Sequence, residues 1–267
     1  MSVWVSIFFL APLLIIFVYS FLRRDLYGGV TAHFSLDAYK SLANPGIALI
    51  TGRTLYISII STIITILIAF PCAYHMARSR NQTFLLLLVI IPFWTNFMIR
   101  VFAWMNILGA NGFLNLFLMR IGLIHDPVEF FFNQKAVILV LVYMYLPYAI
   151  LPLFSSIDKF DFSLLEAARD LGATKIQALY KVLLPNVRSG LYTAMIFTFI
   201  PMFGAYAVPL LVGGKDSYML GNLVADYLSR SRDWPLASAI SMVLTAITTV
   251  SIIIMLATQR KESKRRK

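Results

Sequence analysis

An all-α integral membrane protein is predicted, with six transmembrane helices and one helix-turn-helix on the cytoplasmic side. Three observations carry this: long continuous apolar runs, almost no charge within them, and a single polar segment bearing two successive helix-start patterns. The 267 residues are 60% hydrophobic and 13% charged, with mean hydropathy +0.79. A soluble domain averages about 45–50% apolar and about 25% charged, so this composition belongs to the membrane class.

Crossing ~30 Å of hydrocarbon at 1.5 Å per residue takes about 20 mostly apolar residues. Residues 4–22, 54–77, 83–108, 136–154, 191–212 and 236–258 qualify. They are continuous rather than alternating, which favours helices over barrel strands, since a spanning helix satisfies its own backbone. The first run has no basic lead-in and no A-x-A site, so it is read as a span and not a signal peptide. Prolines recur inside the runs, at 12, 71, 92, 147, 152, 201 and 209. Each removes a helix hydrogen bond and favours a kink. Kinked helices suit a cavity that opens and closes, although prolines are common in membrane helices anyway.

The net charge of +11 would point to nucleic acid in a soluble protein. Here the basic residues are sorted into loops and the tail 259–267, and topology explains them better. Thirteen Lys/Arg fall in segments 78–82, 156–190 and the tail, against nine in the opposite loops 23–53, 109–135 and 213–235. The excess places both termini in the cytoplasm. Arg23 and Arg24 favour the reverse locally. A basic segment upstream of Met1 would reconcile them, and the upstream genomic sequence tests that. Cys72 is the only cysteine, which excludes an intrachain disulfide and a cysteine metal cluster. No phosphate-binding Gly-rich loop is present, since Gly213-Gly214-Lys215-Asp216 lacks the required spacing.

The polar segment 161–188 reads as two short helices, 164–171 and 175–184, the second ended by Pro185. Ser163-x-x-Glu166 and Thr174-x-x-Gln177 match capping boxes, and Gly172 is placed to end the first helix at positive φ. Leu164, Leu165, Ala168 and Leu171 form one apolar stripe, and Ile176, Leu179, Tyr180 and Leu183 another. Helices this short are marginal alone and need a surface. That surface is either the protein's own spans or a partner.

Glu166-Ala167-Ala168-x-x-x-Gly172, followed by Val182-x-Leu184-Pro185, resembles the EAA loop of type I ABC importer permeases, with Val182 in place of the usual Ile. The resemblance implies that Leu165, Glu166, Ala167, Ala168, Asp170, Gly172 and Ala173 form a coupling element that docks on an ATPase subunit. It also implies that ATP and Mg are bound by that partner, with no cofactor on this chain. The implied assembly contains a second permease, two ATPase copies and an extracytoplasmic solute-binding protein. It sits in the lipid of a bacterial inner membrane, with no nucleic acid. Glu166 either closes the capping box or pairs with a basic residue of the partner.

Residues 91–100 (IPFWTNFMIR), 164–173 and 232–235 are similar to the permeases of spermidine/putrescine importers. Relatives of this permease type carry opines, amino-acid derivatives or ferric iron. Candidate path residues are Trp94, Asn96, Arg100, Trp104, Tyr143, Tyr148 and Tyr206; the aromatic faces among them would favour a cation, whereas Arg100 is a poor ligand for one. Tyr143 and Tyr145 point about 200° apart on a helix, so not all line one path. No Asp or Glu lies within any of the six runs, whereas Arg100 does. A carboxylate for a cationic cargo would come from a partner, or from Asp226 or Asp233. An ATP-independent secondary transporter or channel would want an intramembrane coupling residue or inverted repeats, and neither is visible. A membrane enzyme is disfavoured by the scatter of His33, His75 and His125.

Overall fold

The computed structural model describes residues 2–265. Among the described residues the regular elements are helices apart from one β-hairpin. In order, it forms α1 (Ser2–Ser20), β1 (Leu22–Arg24), β2 (Val30–Phe34), α2 (Asp37–Ser41), α3 (Pro45–Arg78), α4 (Gln82–Ile90), α5 (Phe97–Leu108) and α6 (Phe113–Arg120). These are followed by α7 (Gln134–Asp158), α8 (Ser163–Asp170), α9 (Lys175–Ala178), α10 (Leu184–Phe203), α11 (Ala207–Val212), α12 (Leu220–Ser229) and α13 (Trp234–Arg265). The predicted basic tail continues α13 as far as Arg265, and its last two residues lie outside the described residues.

Among the described residues, four stretches are long and apolar enough to cross a membrane: Pro45–Arg78, Phe97–Arg120, Gln134–Asp158 and Trp234–Ile254. Ser6–Ser20 and Gln82–Trp94 are shorter apolar helices. The third and fifth predicted runs are therefore not the single helices expected. In the third, a 3₁₀ turn at Ile91–Trp94 carries Pro92 near its start. Thr95 is extended, and the Asn96 side chain accepts from the Met98 amide to begin α5 afresh. Proline's missing N–H and asparagine's capping oxygen together end one helix and start another. The fifth run starts earlier than expected and breaks after Phe203. There the Asn222 side-chain amide donates to the Tyr206 carbonyl at 3.0 Å, satisfying part of the unwound backbone.

The described chain divides into two compact units. One comprises residues 1–57, 132–137 and 203–258. In it the hairpin β1/β2 occupies part of what the sequence leaves as loop, held to the segment before α13 by Arg24. The Arg24 guanidinium donates to the Ser231 carbonyl at 2.7 Å and approaches the Asp233 carboxylate at 3.5 Å. Asp226, one of the two outer carboxylates, accepts from the Tyr218 hydroxyl and pairs with Arg230 at 3.4 Å. Both carboxylates are thus engaged within this unit.

The other unit, residues 58–131, 138–202 and 259–267, holds the core that positions the polar loop. Ala69, Ala73 and Ala77 recur every fourth residue on α3, and this small-residue stripe packs with Leu153 and Ile157 of α7 and Val187 of α10. At Gly190 of α10 the approach to α7 leaves no room for a side chain. A Cβ there would lie 2.3 Å from the Ser156 Cβ and 2.9 Å from the Pro152 carbonyl oxygen.

Candidate functional site

The polar loop is a helix, a tight turn and a second helix that flows into α10. Its start differs from the expected capping box. Ser163 is already helical, so its hydroxyl does not cap. The Asp161 carboxylate accepts from the Ser163 amide at 3.0 Å instead. Hydrogen bonds from the Ser163 hydroxyl and amide hold that carboxyl below the usual carboxylate range. Glu166 is consequently released from capping, and it is exposed.

The turn forms as expected. Gly172 has φ +89, and its amide donates to the Arg169 carbonyl at 2.9 Å while the Ala173 amide donates to Ala168 at 3.0 Å. This pair of bonds is a Schellman motif, which needs the left-handed conformation that glycine adopts without strain. No atom lies within 4 Å of a Cβ built on Gly172, so the restriction is conformational and not steric. The second capping box is complete: the Thr174 hydroxyl accepts from the Gln177 amide and the Gln177 side chain accepts from the Thr174 amide.

Pro185 does not end the second helix. Leu179–Leu183 form a π turn in which the Leu184 amide reaches back to the Leu179 carbonyl. The wider turn accommodates a residue with no N–H to give, and the Asn186 side chain donates to the Val182 carbonyl at 2.8 Å. The change of winding also breaks the expected apolar stripe. Leu183 is fully buried, but Ile176 is 78% exposed and Tyr180 70%. In the first helix Leu165 is buried and Ala168 half-buried, while Leu164 and, at 90%, Leu171 are exposed. One side of the loop is anchored in the core by Leu165, Ala178 and Leu183. The other presents Leu171, Ile176 and Tyr180, together with a shallow polar recess of about 650 Å³ lined by Glu166, Arg169, Asp170, Ala173, Thr174 and Lys175.

The candidate path residues are only partly brought together. Trp104 of α5 meets Tyr143 of α7 edge-on at 5.3 Å. Tyr148 packs edge-on against Phe93 at 4.8 Å. These rings pack α7 against α5 and against the 3₁₀ turn that precedes it. Asn96 is committed to capping α5, Trp94 is exposed, and Tyr206 belongs to the other unit. Arg100 lies over Phe93 at 5.2 Å and Phe97 at 6.0 Å, two rings absent from the sequence-derived list. Phe97 stands three residues before Arg100 on α5, an ordinary helical pair, whereas Phe93 reaches it from the 3₁₀ turn.

The chain is thus a helical membrane protein with kinked and broken apolar helices and a core-anchored helix-turn-helix whose other side is exposed. The family model "Binding-protein-dependent transport system inner membrane component" matches residues 1–264, and the chain belongs to that family. It is 37% identical over 253 residues to the spermidine/putrescine transport system permease protein PotB of Haemophilus influenzae, covering 94% of this chain and 88% of the relative. The Escherichia coli PotB is 34% identical over 264 residues, covering 98% and 96%. The inner membrane ABC transporter permease protein YdcU of Escherichia coli is 31% identical, covering 90% and 81%. Among solved structures, a bacterial ABC transporter that imports the acidic polysaccharide alginate has a similar fold. The TM-score is 0.78 at 15% identity, covering 97% of this chain and 92% of that one. The MetNI methionine ABC transporter matches at TM-score 0.60 and 20% identity, covering 82% and 98%. The chain is thus a non-catalytic ABC permease subunit of the inner membrane.

Proposed function

We propose that this chain is one of two permeases enclosing the path of an ATP-driven polyamine importer, with spermidine or putrescine as cargo. The chain crosses the membrane six times: by α1, α3, the broken pair α4–α5, α7, the broken pair α10–α11, and α13. Both termini and residues 156–190 lie in the cytoplasm, where the basic excess falls. Two copies of an ATPase subunit, which bind ATP and Mg, receive the loop. A solute-binding protein delivers cargo on the opposite face.

The observation that carries the coupling role is the two-sidedness of the loop. Leu165, Ala178 and Leu183 fix it to the core, while Leu171, Ile176, Tyr180 and the free Glu166 face outward. A rigidly anchored element with an unpaired outer face transmits a partner's movement into α7 and α10. Closure of the ATPase pair then drives the kinked spans from inward-facing to outward-facing, and hydrolysis resets them. The similarity to PotB over nearly the whole chain supports the cargo.

Reconstitution with the second permease, ATPase and binding protein of the same gene cluster tests the reading. ATP-dependent uptake of labelled spermidine or putrescine into proteoliposomes is expected. Uptake without the ATPase would overturn the importer, and ATP-dependent uptake of another solute alone would overturn the polyamine.

A further inference from the structure

We infer that the second permease presents an Asp or Glu carboxylate to Arg100, forming an intersubunit ion pair inside the membrane. This rests on the proposed pairing of two permeases.

Arg100 is the fourth residue of α5. Its Nε is buried with no hydrogen-bond partner. The ion pairs seen elsewhere, Arg24–Asp233, Lys40–Asp37 and Arg230–Asp226, lie outside the spans. None of the six apolar runs holds an Asp or Glu to pair with Arg100. Arg100 as a whole is half-buried, and a guanidinium held at the depth of an apolar run without an anion is costly. Its two ring contacts relieve only part of that, because a ring face offers no acceptor for the N–H groups.

The direction of the side chain decides between candidate anions. Phe93 and Phe97 both precede Arg100, so the guanidinium lies back along the start of α5. Eight more helical residues, roughly 12 Å, separate Arg100 from the C-terminal end of α5 at Leu108. The side chain points away from that end, which is the opposite of snorkelling toward lipid phosphates there. Towards the other surface stand the whole of α4 and the 3₁₀ turn. A polyamine cargo is cationic and cannot serve. What remains is a carboxylate carried by another protein, and the planar fork of an arginine suits one bidentately. Exposed Ile99 and Phe102 flank Arg100 and supply an apolar rim that would keep such a pair dry.

The test uses the full complex in proteoliposomes. Arg100→Glu is expected to reduce recovery of the second permease in pull-down by about tenfold or more, as for other desolvated charge pairs. Each intramembrane Asp and Glu of the second permease is then changed singly to Arg in that background. Restored recovery and uptake by one such reversal supports the pair. Unchanged assembly with Arg100→Glu and Arg100→Gln would overturn it, as would a loss that no reversal repairs. An effect that tracks the anionic lipid content of the vesicles would overturn it in favour of a lipid phosphate. A change confined to the KM for spermidine would overturn it in favour of a path residue. Should the wild-type chain assemble with the second permease but carry another solute, the polyamine reading fails while the recovery assay still judges the ion pair. Failure of the wild-type chain to pair with any second permease would overturn both.

Discussion

Asp161 sets the start of α8 through one charge-assisted bond to the Ser163 amide, and the Ser163 hydroxyl adds a second. The folded-state pKa is lowered by these bonds, so the sign follows directly. The stabilisation is complete above the unfolded-state value, about 3.9 for an aspartate, and is lost as pH falls through the lower folded-state value. Asp161→Asn keeps an acceptor that does not titrate. Hydrogen exchange across residues 161–173 should therefore show the wild type losing protection relative to Asp161→Asn only below the ordinary carboxylate range. Identical pH profiles would refute the cap. Local spacing showed where this loop turns, since Gly172 and the Thr174–Gln177 box depend only on near neighbours. It assigned the first cap to Ser163 because the pattern alone does not reveal which residue is already helical. Glu166 changes meaning with it: freed from the cap, its charge is available to a partner.

At the scale of elements, α7 and α10 touch backbone-close at Gly190, against Ser156 and Pro152. Gly190→Ala forces either the helices or the Ser156 side chain to move, and overpacking of this kind typically costs about 1–3 kcal/mol. A lower melting temperature is expected in detergent, with Ser156→Gly restoring part of it, because the Pro152 carbonyl remains in the way. No change in melting temperature would show that the contact gives without cost. This contact was invisible in the sequence, where Gly190 is one more small residue in an apolar run. The breaks in the third and fifth runs were half visible. Pro92 and Asn96 are local signals that hydropathy overrode, whereas the Tyr206 carbonyl is held by Asn222, a partner 16 residues away. The π turn at Leu179–Leu183 shows the converse. Proline stopped the predicted helix, yet a change of winding let the chain continue, and that change brought Leu183 into the core out of step with the exposed Ile176 and Tyr180.

Over the whole molecule, the loop's exposed side chains are either idle surface or the contact through which an ATPase moves the spans. Leu171, Ile176 and Tyr180 form no part of the core cluster that anchors the loop. Removing them should therefore leave this chain's own folding unchanged, while the few anchor residues that dominate an interface cost about 2 kcal/mol or more each when truncated. Leu171→Ala combined with Ile176→Ala is expected to weaken retention of the ATPase by about tenfold or more, 1.4 kcal/mol corresponding to one decade. Circular dichroism and melting of the isolated chain should match the wild type. Glu166→Gln, which removes charge but no packing, should show a smaller loss that shrinks further at high salt, as an exposed ion pair does. Wild-type retention by the double variant would make the surface idle. A lowered melting temperature of the chain alone would instead mean that these residues pack internally. The two failures are separable because the anchors Leu165, Ala178 and Leu183 lie on the opposite side of the loop. Movement imposed on its outer face reaches α10 through them and through the continuous π turn.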